Sequence, residues 1–323
     1  MDFPASASRF SLARLAARLP DTEHAWRTRQ LADLGLNADV ISALVRHRIL
    51  VRARFGCYVR AAYRDKFDGP GRDRLRILLH AHAAVTPSPS LSVYSHASAA
   101  RLHELPLWRA DPFIHLTRPA KKTTAQKAPD VKIHCRSLPA EMCMEIDGLP
   151  VTNLLRTTVD CALTMTYKQA LILMDFALRK GIPRAALDRE AAALDGHRGI
   201  RIFRSALAFA CADSESAGES LTRGLIQVCA IEAPQLQCRL STPGGSYRAD
   251  FAWPRYKVIL EFDGEGKYLN HRPTQQVLRD ERKRENELIG QGWTVIRVGW
   301  SDLFNEHLFK TRLVAALRMR AMK

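Results

Sequence analysis

The sequence predicts a multi-domain α/β protein, and three observations favour this fold class. The chain has 323 residues, 46% of them hydrophobic, which is enough for several cores at about 100–200 residues per domain. Near the N-terminus, two short stretches with helical apolar spacing precede two alternating, strand-like stretches. In the last third, helical and strand-like stretches alternate. We therefore expect three domains, over residues 1–66, 67–210 and 211–323.

The charge balance predicts a polyanionic partner. The chain has 49 Lys and Arg against 33 Asp and Glu, a formal net charge of +16. Such an excess favours nucleic acid as the partner, although composition does not separate DNA from RNA. Because 25% of the residues are charged and apolar residues lie among them, the composition excludes a disordered or fibrous chain.

The sequence also predicts a cytoplasmic protein without membrane contact. No apolar run reaches about 18 residues, and the N-terminal residues lack the pattern of a signal peptide. The seven cysteines are scattered and contain no C-x-x-C pair, which argues against a disulfide framework and against a zinc site.

The first predicted domain has the pattern of a helix-turn-helix. Arg27–Leu34 has helical spacing, and Gly35 is suited to end that helix. Asn37 is a suitable N-cap for a second helix over Ala38–His47, whose apolar residues form one stripe. Two short helices about a tight turn form a helix-turn-helix unit.

The residues after the second helix predict a basic β-ribbon, or wing. Ile49–Val59 contains two alternating runs, and 40–64 contains six arginines without a carboxylate. In a winged helix-turn-helix, the second helix enters the major groove and the wing contacts phosphates. The alternative is a protein-interaction module, which this fold also serves. The predicted DNA contacts are Arg46 and Arg48 at the helix end and Arg52 and Arg54 in the wing.

A resemblance to a known family accompanies this pattern. The string TRQLADLGLNADVISALVRHRILVRARFGCYV resembles the N-terminal DNA-binding domain of the AbiEi-type antitoxins of type IV toxin–antitoxin systems. The resemblance implies DNA binding, often with autorepression. In the middle of the chain, SHASAARLHELPLW and DGLPVTNLLRTTVDCA resemble strings of AbiEi-like proteins. A toxin or another protein is therefore a second candidate partner.

The middle region, 67–210, predicts a mixed α/β scaffold without catalytic chemistry. It begins with a Gly-Pro-Gly segment that suggests a linker at residues 68–71. His96 and His103 share one helix face, but without a third ligand in view we favour structural roles for both. Thr157, Thr158 and Asp160 indicate a capped helix start rather than a catalytic triad.

The last third predicts the order helix, three strands, helix, strand, and then a final helix. Two of the strands bear acids: Asp250 lies on one, and Glu261 and Asp263 share one face of the next. Clustered carboxylates repel each other unless a cation is present, and Mg²⁺ prefers carboxylate oxygens. We therefore predict that Asp250 and Glu261 bind Mg²⁺, with Mn²⁺ able to replace it. The predicted ranges are 214–230, 235–240, 247–253, 257–263, 273–290, 293–298 and a helix from residue 302.

This order resembles the αβββαβ core of the PD-(D/E)XK restriction-endonuclease-like nucleases. Five strings over 214–304 are similar to the endonuclease domain of very-short-patch-repair type: SESAGES, YRADFAW, VILEFDGEGKY, ERKRENEL and GWTVIRVGWSDL. The resemblance implies Mg²⁺-dependent hydrolysis of a DNA phosphodiester bond, in bacterial defence, repair or a toxin–antitoxin setting.

The resemblance also suggests roles for further residues. Glu219 would bind the metal through a water or orient the site, and Asp263 would be a further ligand or helper. The standard lysine, two residues after the acid, is replaced by Asp263, and Lys267 is the nearest cation that could stabilise the phosphate. Arg284 is a candidate phosphate contact, with a merely solvated helix face as the alternative. The rival function is a non-catalytic, antitoxin-like repressor whose nuclease fold has lost activity.

Overall fold

A computed structural model describes residues 9–83, 92–119, 128–264 and 275–321 of the chain. These residues form helices and three β-sheets, which confirms the predicted α/β class. Contacts divide the chain into a first unit, 1–105 with 111–157, and a second unit, 106–110 with 158–323. Both predicted domain boundaries fall inside a unit, and the three-part division stays a prediction. Within the described ranges, no helix has the length and apolar character needed to cross a bilayer.

The first unit begins with short helices around a small antiparallel sheet. The strand order is β1-β3-β2, and β2 and β3 form a hairpin. The core beneath it is apolar and closed to solvent, with Trp26, Leu31 and Leu44 fully buried. The elements are α1 Arg9–Ala16, β1 Ala25–Arg27, α2 Thr28–Asp33, α3 Ala38–Arg46, β2 Leu50–Arg54, β3 Cys57–Arg60, α4 Ala61–Arg64 and α5 Gly69–Ala83.

Local signals in the sequence fix the turn between α2 and α3. Gly35 has a φ of +73°, a left-handed conformation that glycine adopts without steric cost. The Asn37 side chain accepts a hydrogen bond of 3.0 Å from the amide of Val40, which confirms the predicted N-cap. The predicted linker at 68–71 is wrong in part, because α5 already begins at Gly69. Proline is tolerated in the first turn of a helix, where its missing N–H would have no partner.

A five-stranded mixed sheet forms the rest of the first unit. Its order is β6-β5-β4-β8-β7, with β5 parallel to β6 and antiparallel to β4. Helix α6 packs against β5, and a buried cluster that includes Ile77, Ile114 and Val151 lies between helices and sheet. The elements are β4 Val93–Tyr94, α6 His96–Leu102, β5 Ile114–Arg118, β6 Val131–Cys135, β7 Cys143–Ile146 and β8 Leu149–Thr152.

Helices form the first part of the second unit, and the first of them, α7, begins before Thr158, where this part of the unit starts. Helix α8 packs against α10 and α11. Helix α7 starts at Leu154, earlier than predicted, because Asn153 accepts from the amide of Arg156 at 2.9 Å and so caps it. The prediction that Thr157 and Thr158 cap a helix start is therefore wrong. The helices are α7 Leu154–Ala162, α8 Tyr167–Arg179, α9 Arg184–Ala193, α10 Ile200–Phe209 and α11 Ala217–Val228.

A four-stranded sheet follows α11, in the predicted order of elements. The strand order is β12-β11-β10-β9; the first three strands along the chain are antiparallel, and β11 pairs parallel with β12. The parallel pair needs a crossover, which α12 supplies. The elements are β9 Gln235–Thr242, β10 Gly245–Trp253, β11 Val258–Phe262, α12 Gln275–Gly290, β12 Thr294–Val298 and α13 Glu306–Ala321.

The two faces of this sheet are covered by different helices. Leu260 and Phe262 pack with residues of α11 and α13, whereas Ile259 packs with Leu288 of α12 on the opposite face. Gly218 in the first turn of α11 lies directly against the ring of Phe262, and a Cβ there would overlap that ring. This close approach sets the N-terminal turn of α11 against the end of β11.

Candidate functional site

Asp250 and Glu261 occupy neighbouring positions on adjacent strands. The antiparallel register pairs Phe251 of β10 with Leu260 of β11, and Asp250 and Glu261 are the next residues in this register. The Oδ2 atom of Asp250 accepts a hydrogen bond of 3.0 Å from the backbone amide of Phe262. Both acids are partly buried at the end of the strand pair. That they bind a metal stays a prediction.

Glu219 lies in the first turn of α11, and its side chain is oriented by two donors. Its Oε2 accepts from the Glu215 amide at 2.8 Å and from Gln237 Nε2 at 2.9 Å. Glu219 is only 8% exposed, and this burial raises the pKa of its carboxyl, opposed by the Glu215 hydrogen bond. The negative charge of Asp250 raises the pKa of Glu219 further, which means that the two carboxylates repel each other.

Glu261, Asp263 and Arg284 line one cleft on the side of the sheet that faces α12. Tyr247, Glu285 and Arg297 are among its other walls. Burial raises the pKa of the Tyr247 hydroxyl, and a hydrogen bond with Glu261 and the charge of that residue raise it further. Sequence reasoning did not single out Tyr247, because its contact depends on how β10 and β11 pair.

An ion-pair network inside this cleft occupies one of the predicted acids. The guanidinium of Arg297 lies 3.4 Å from Asp263 Oδ2 and 3.0 Å from Glu285 Oε2. Burial alone would lower the pKa of Arg297, but the two carboxylates outweigh it and raise the pKa. Arg297 thus orients Asp263. The sequence did not indicate a role for Arg297.

Carboxylate oxygens suit a hard divalent cation, and Glu219, Asp250 and Glu261 supply them from α11, β10 and β11. Among the described residues, however, these acids do not form a group of three whose oxygens all lie within 4.8 Å of one another. The prediction that only Asp250 and Glu261 bind the ion directly is compatible with this spacing, with water completing the shell. Lys267 lies outside the described residues.

The predicted DNA-contacting arginines differ in their environments. Arg46, at the end of α3, is exposed, and so are Arg48 and Arg52. The fourth, Arg54, is 17% exposed and forms an ion pair of 3.0 Å with Asp130. At the tip of the β2–β3 hairpin, the ring of Phe55 is 91% exposed, with the Arg52 guanidinium 5.3 Å from its centroid.

The middle region contains a histidine cluster that the sequence did not predict. His96 does not pair with His103, whose Nε2 lies 2.8 Å from the carbonyl oxygen of Thr152. Instead His96 lies with His115 and His134, and one ring nitrogen from each is within 4.8 Å of the others. The pairing of β5 and β6 brings His115 and His134 to His96, and this is the third ligand that was not in view in the sequence. The structural role favoured for His96 stays a prediction.

The chain is similar to proteins of Mycobacterium tuberculosis. It is 32% identical over 152 residues to the uncharacterized proteins Rv2248 (strain H37Rv) and MT2308 (strain CDC 1551), over 46% of this chain and 55% of each relative. The chain thus spans about half the length of the curated relatives it matches. The crystal structure of the RV2827C protein aligns with this chain at 19% sequence identity, over 64% of this chain and 82% of the RV2827C chain. The TM-score of 0.34 is too low to indicate a shared fold. No model of a known protein family matches the chain.

Proposed function

We propose that this chain binds double-stranded DNA through its first unit and hydrolyses a DNA phosphodiester bond, with Mg²⁺ as cofactor, through its second unit. The observation that carries the hydrolytic part is that Asp250 and Glu261 are neighbours in the register of β10 and β11. The charge of Asp250 also raises the pKa of the buried Glu219. Gathering carboxylates at a strand end is unfavourable by repulsion and desolvation, and a divalent cation offsets both.

The DNA-binding part rests on element order and charge. Helices α2 and α3 about a tight turn, followed by the β2–β3 hairpin, have the order of a winged helix-turn-helix. In that motif the end of the second helix and the ribbon approach DNA, and there Arg46, Arg48 and Arg52 are exposed. Arg54 is expected to contribute less, since its charge is paired with Asp130.

In the second unit, Asp250 and Glu261 would hold Mg²⁺ directly, and Glu219 would act through a water or orient the site. When bound, the ion neutralises charge on the phosphate and lowers the pKa of the attacking water. Arg284, exposed on α12 beside the cleft, would contact a DNA phosphate. Asp263 is better suited to assist than to bind metal, because Arg297 holds it. Lys267 stays a candidate for stabilising the phosphate.

Plasmid nicking tests the hydrolytic part. The full chain is incubated with supercoiled plasmid and Mg²⁺ or Mn²⁺, beside the variants Asp250→Asn and Glu261→Gln. The matched control is Asp188→Asn, an exposed acid on α9. We expect metal-dependent nicking by the unmodified chain and the control only. Equal nicking by all four proteins would indicate a contaminating nuclease and contradict the site.

A second candidate function is a non-catalytic, antitoxin-like repressor. The Arg297 guanidinium between Asp263 and Glu285 favours it, because this cation neutralises acids of the cleft without any metal. The repressor function predicts that the protein retards promoter DNA in a gel yet leaves plasmid intact with either metal. Absence of both DNA binding and nicking would contradict both functions.

A further inference from the structure

Three imidazoles of the first unit, from three elements, lie side by side, and the rings of His96 and His134 are stacked with their centroids 3.5 Å apart. His96 begins α6, His115 lies on β5 and His134 on β6, and one nitrogen of each lies within 4.8 Å of the others. His115 Nδ1 and His134 Nε2 are 3.0 Å apart. Two nitrogens that share a tetrahedral zinc ion, each about 2.0–2.1 Å from it, would be roughly 3.3 Å apart. Without a metal this contact is a hydrogen bond between the two rings, and its length is close to the spacing of two ligands of one ion.

The outer nitrogens of two of these rings contact oxygen atoms. His115 Nε2 lies 2.9 Å from Asp111 Oδ1, and His96 Nδ1 lies 3.0 Å from Ser95 Oγ. A carboxylate on the outer nitrogen holds the proton there, so that the other nitrogen presents its lone pair to a metal. Asp111 is itself held by Lys132, whose Nζ lies 2.6 Å from Oδ2. Such carboxylate–histidine pairs are the usual second layer of a metal site.

The surroundings keep the rings neutral, which is the form that binds metal. His96 and His115 are 3% and 6% exposed. Burial, reinforced by the neighbouring histidines, lowers the pKa of His96 to about 2, and burial with the charge of His115 lowers that of His134 to about 4. His96 also has a φ of +47°, a conformation rare for a residue with a side chain and typical of functional positions.

We propose that His96, His115 and His134 bind a divalent transition-metal ion of the zinc class. Three nitrogen donors suit Zn²⁺, Co²⁺ or Ni²⁺ and disfavour Mg²⁺ and Ca²⁺, which prefer oxygen. Three protein ligands leave a fourth position, the pattern of zinc sites that bind water or a substrate. The proposal does not rest on the nuclease function, because all three histidines belong to the first unit and the acids to the second.

Metal titration of the full chain tests the proposal. After treatment with a chelator, the protein is titrated with Zn²⁺ in a calorimeter and with Co²⁺ in a visible spectrometer. We expect one ion per chain and the absorption bands of four-coordinate Co²⁺. The variant His134→Gln should lose those bands, and Asp111→Asn should weaken Zn²⁺ binding by about 10–100-fold. His197→Gln, an exposed histidine of the second unit, is the matched control and should bind like the unmodified chain.

The variants are chosen so that misfolding does not imitate the result. His134 is half-buried on β6, an edge strand of its sheet, where glutamine is tolerated; circular dichroism checks the fold. The Co²⁺ spectrum of the unmodified chain needs no variant at all. The proposal is overturned if that chain binds no Zn²⁺ at micromolar concentration, if His134→Gln binds as tightly as the control, or if excess Mg²⁺ displaces Co²⁺. Each of these results would mean that the three histidines do not form a site for a metal of the zinc class.

Discussion

The carboxylate of Asp175 on α8 accepts hydrogen bonds at 2.7 and 2.6 Å from one guanidinium nitrogen, Nη2, of Arg223 on α11. Asp175 is fully buried and also accepts from the Cys211 amide at 2.8 Å. A single buried acid thus joins α8, α11 and the segment after α10. Because α11 bears Glu219, this pair positions the helix from which the candidate site is built.

Removing the cation of this pair should destabilise the second unit. We expect Arg223→Met to lower the free energy of unfolding by about 3–5 kcal/mol, because it leaves a buried carboxylate without its counter-charge. Urea denaturation measures the change. The double variant Asp175→Leu with Arg223→Met should lose less than Arg223→Met alone, since no buried charge is left. A larger loss in the double variant would contradict this explanation.

The contact between Gly218 and Phe262 predicts that a single methyl group is harmful here. Alanine favours a helix over glycine by about 1 kcal/mol, yet its Cβ would overlap the ring of Phe262. We expect Gly218→Ala to cost about 1–3 kcal/mol through overpacking and to reduce nicking, since the turn bearing Glu219 must shift. Gly290→Ala is the control, because no atom outside its own helical neighbours lies within 4 Å of its added Cβ. Equal stability of the two variants would refute the prediction.

His82 predicts a pH dependence in the first unit. Burial lowers its pKa from 6.5, the charge of Arg27 lowers it further, and Glu23 opposes both. The fold therefore favours the neutral ring, so its stabilising contribution is present above pH 6.5 and is lost as the pH falls toward the folded-state pKa. We expect the unfolding free energy of His82→Gln to fall less between about pH 7.5 and 5.5 than that of the unmodified chain. If the unfolding free energies of the two proteins fell equally with pH, the pKa of His82 would be the same in the folded and unfolded chain, and the prediction would be wrong.

The parts of this fold that could be predicted depend on local signals. Asn37 caps α3 and Gly35 turns the chain because their effects act within a few residues. The acids at the ends of β10 and β11 could be predicted for the same reason: Glu261 and Asp263 alternate along the strand predicted over 257–263, and Asp250 lies on the strand before it. In the structure β11 ends at Phe262, one residue before Asp263.

The parts that could not be predicted depend on strand register and on distant contacts. The Thr117–His134 register of β5 and β6, together with the placement of α6, brings the histidines together, and no local pattern specifies either. Likewise, the pairing of Arg54 with Asp130 links residues 76 positions apart, so the wing arginines looked equivalent in the sequence. A basic residue that forms an internal ion pair differs from a free one only once the fold is known.

That difference between Arg52 and Arg54 gives a test of the DNA-binding surface. Each phosphate contact by a cation releases counterions, and the logarithm of affinity then falls with log salt by about 0.9 per contact. Arg52 is exposed, so Arg52→Ala should weaken binding and reduce the slope by about one contact. Arg54→Ala should leave the slope nearly unchanged and instead lower stability, because it leaves Asp130 without the cation that now pairs with it. Fluorescence anisotropy with a labelled duplex at several salt concentrations measures both slopes. If Arg54→Ala reduced the slope as much as Arg52→Ala, the ion pair with Asp130 would have to open when DNA binds, and the hairpin would contact phosphates with both arginines.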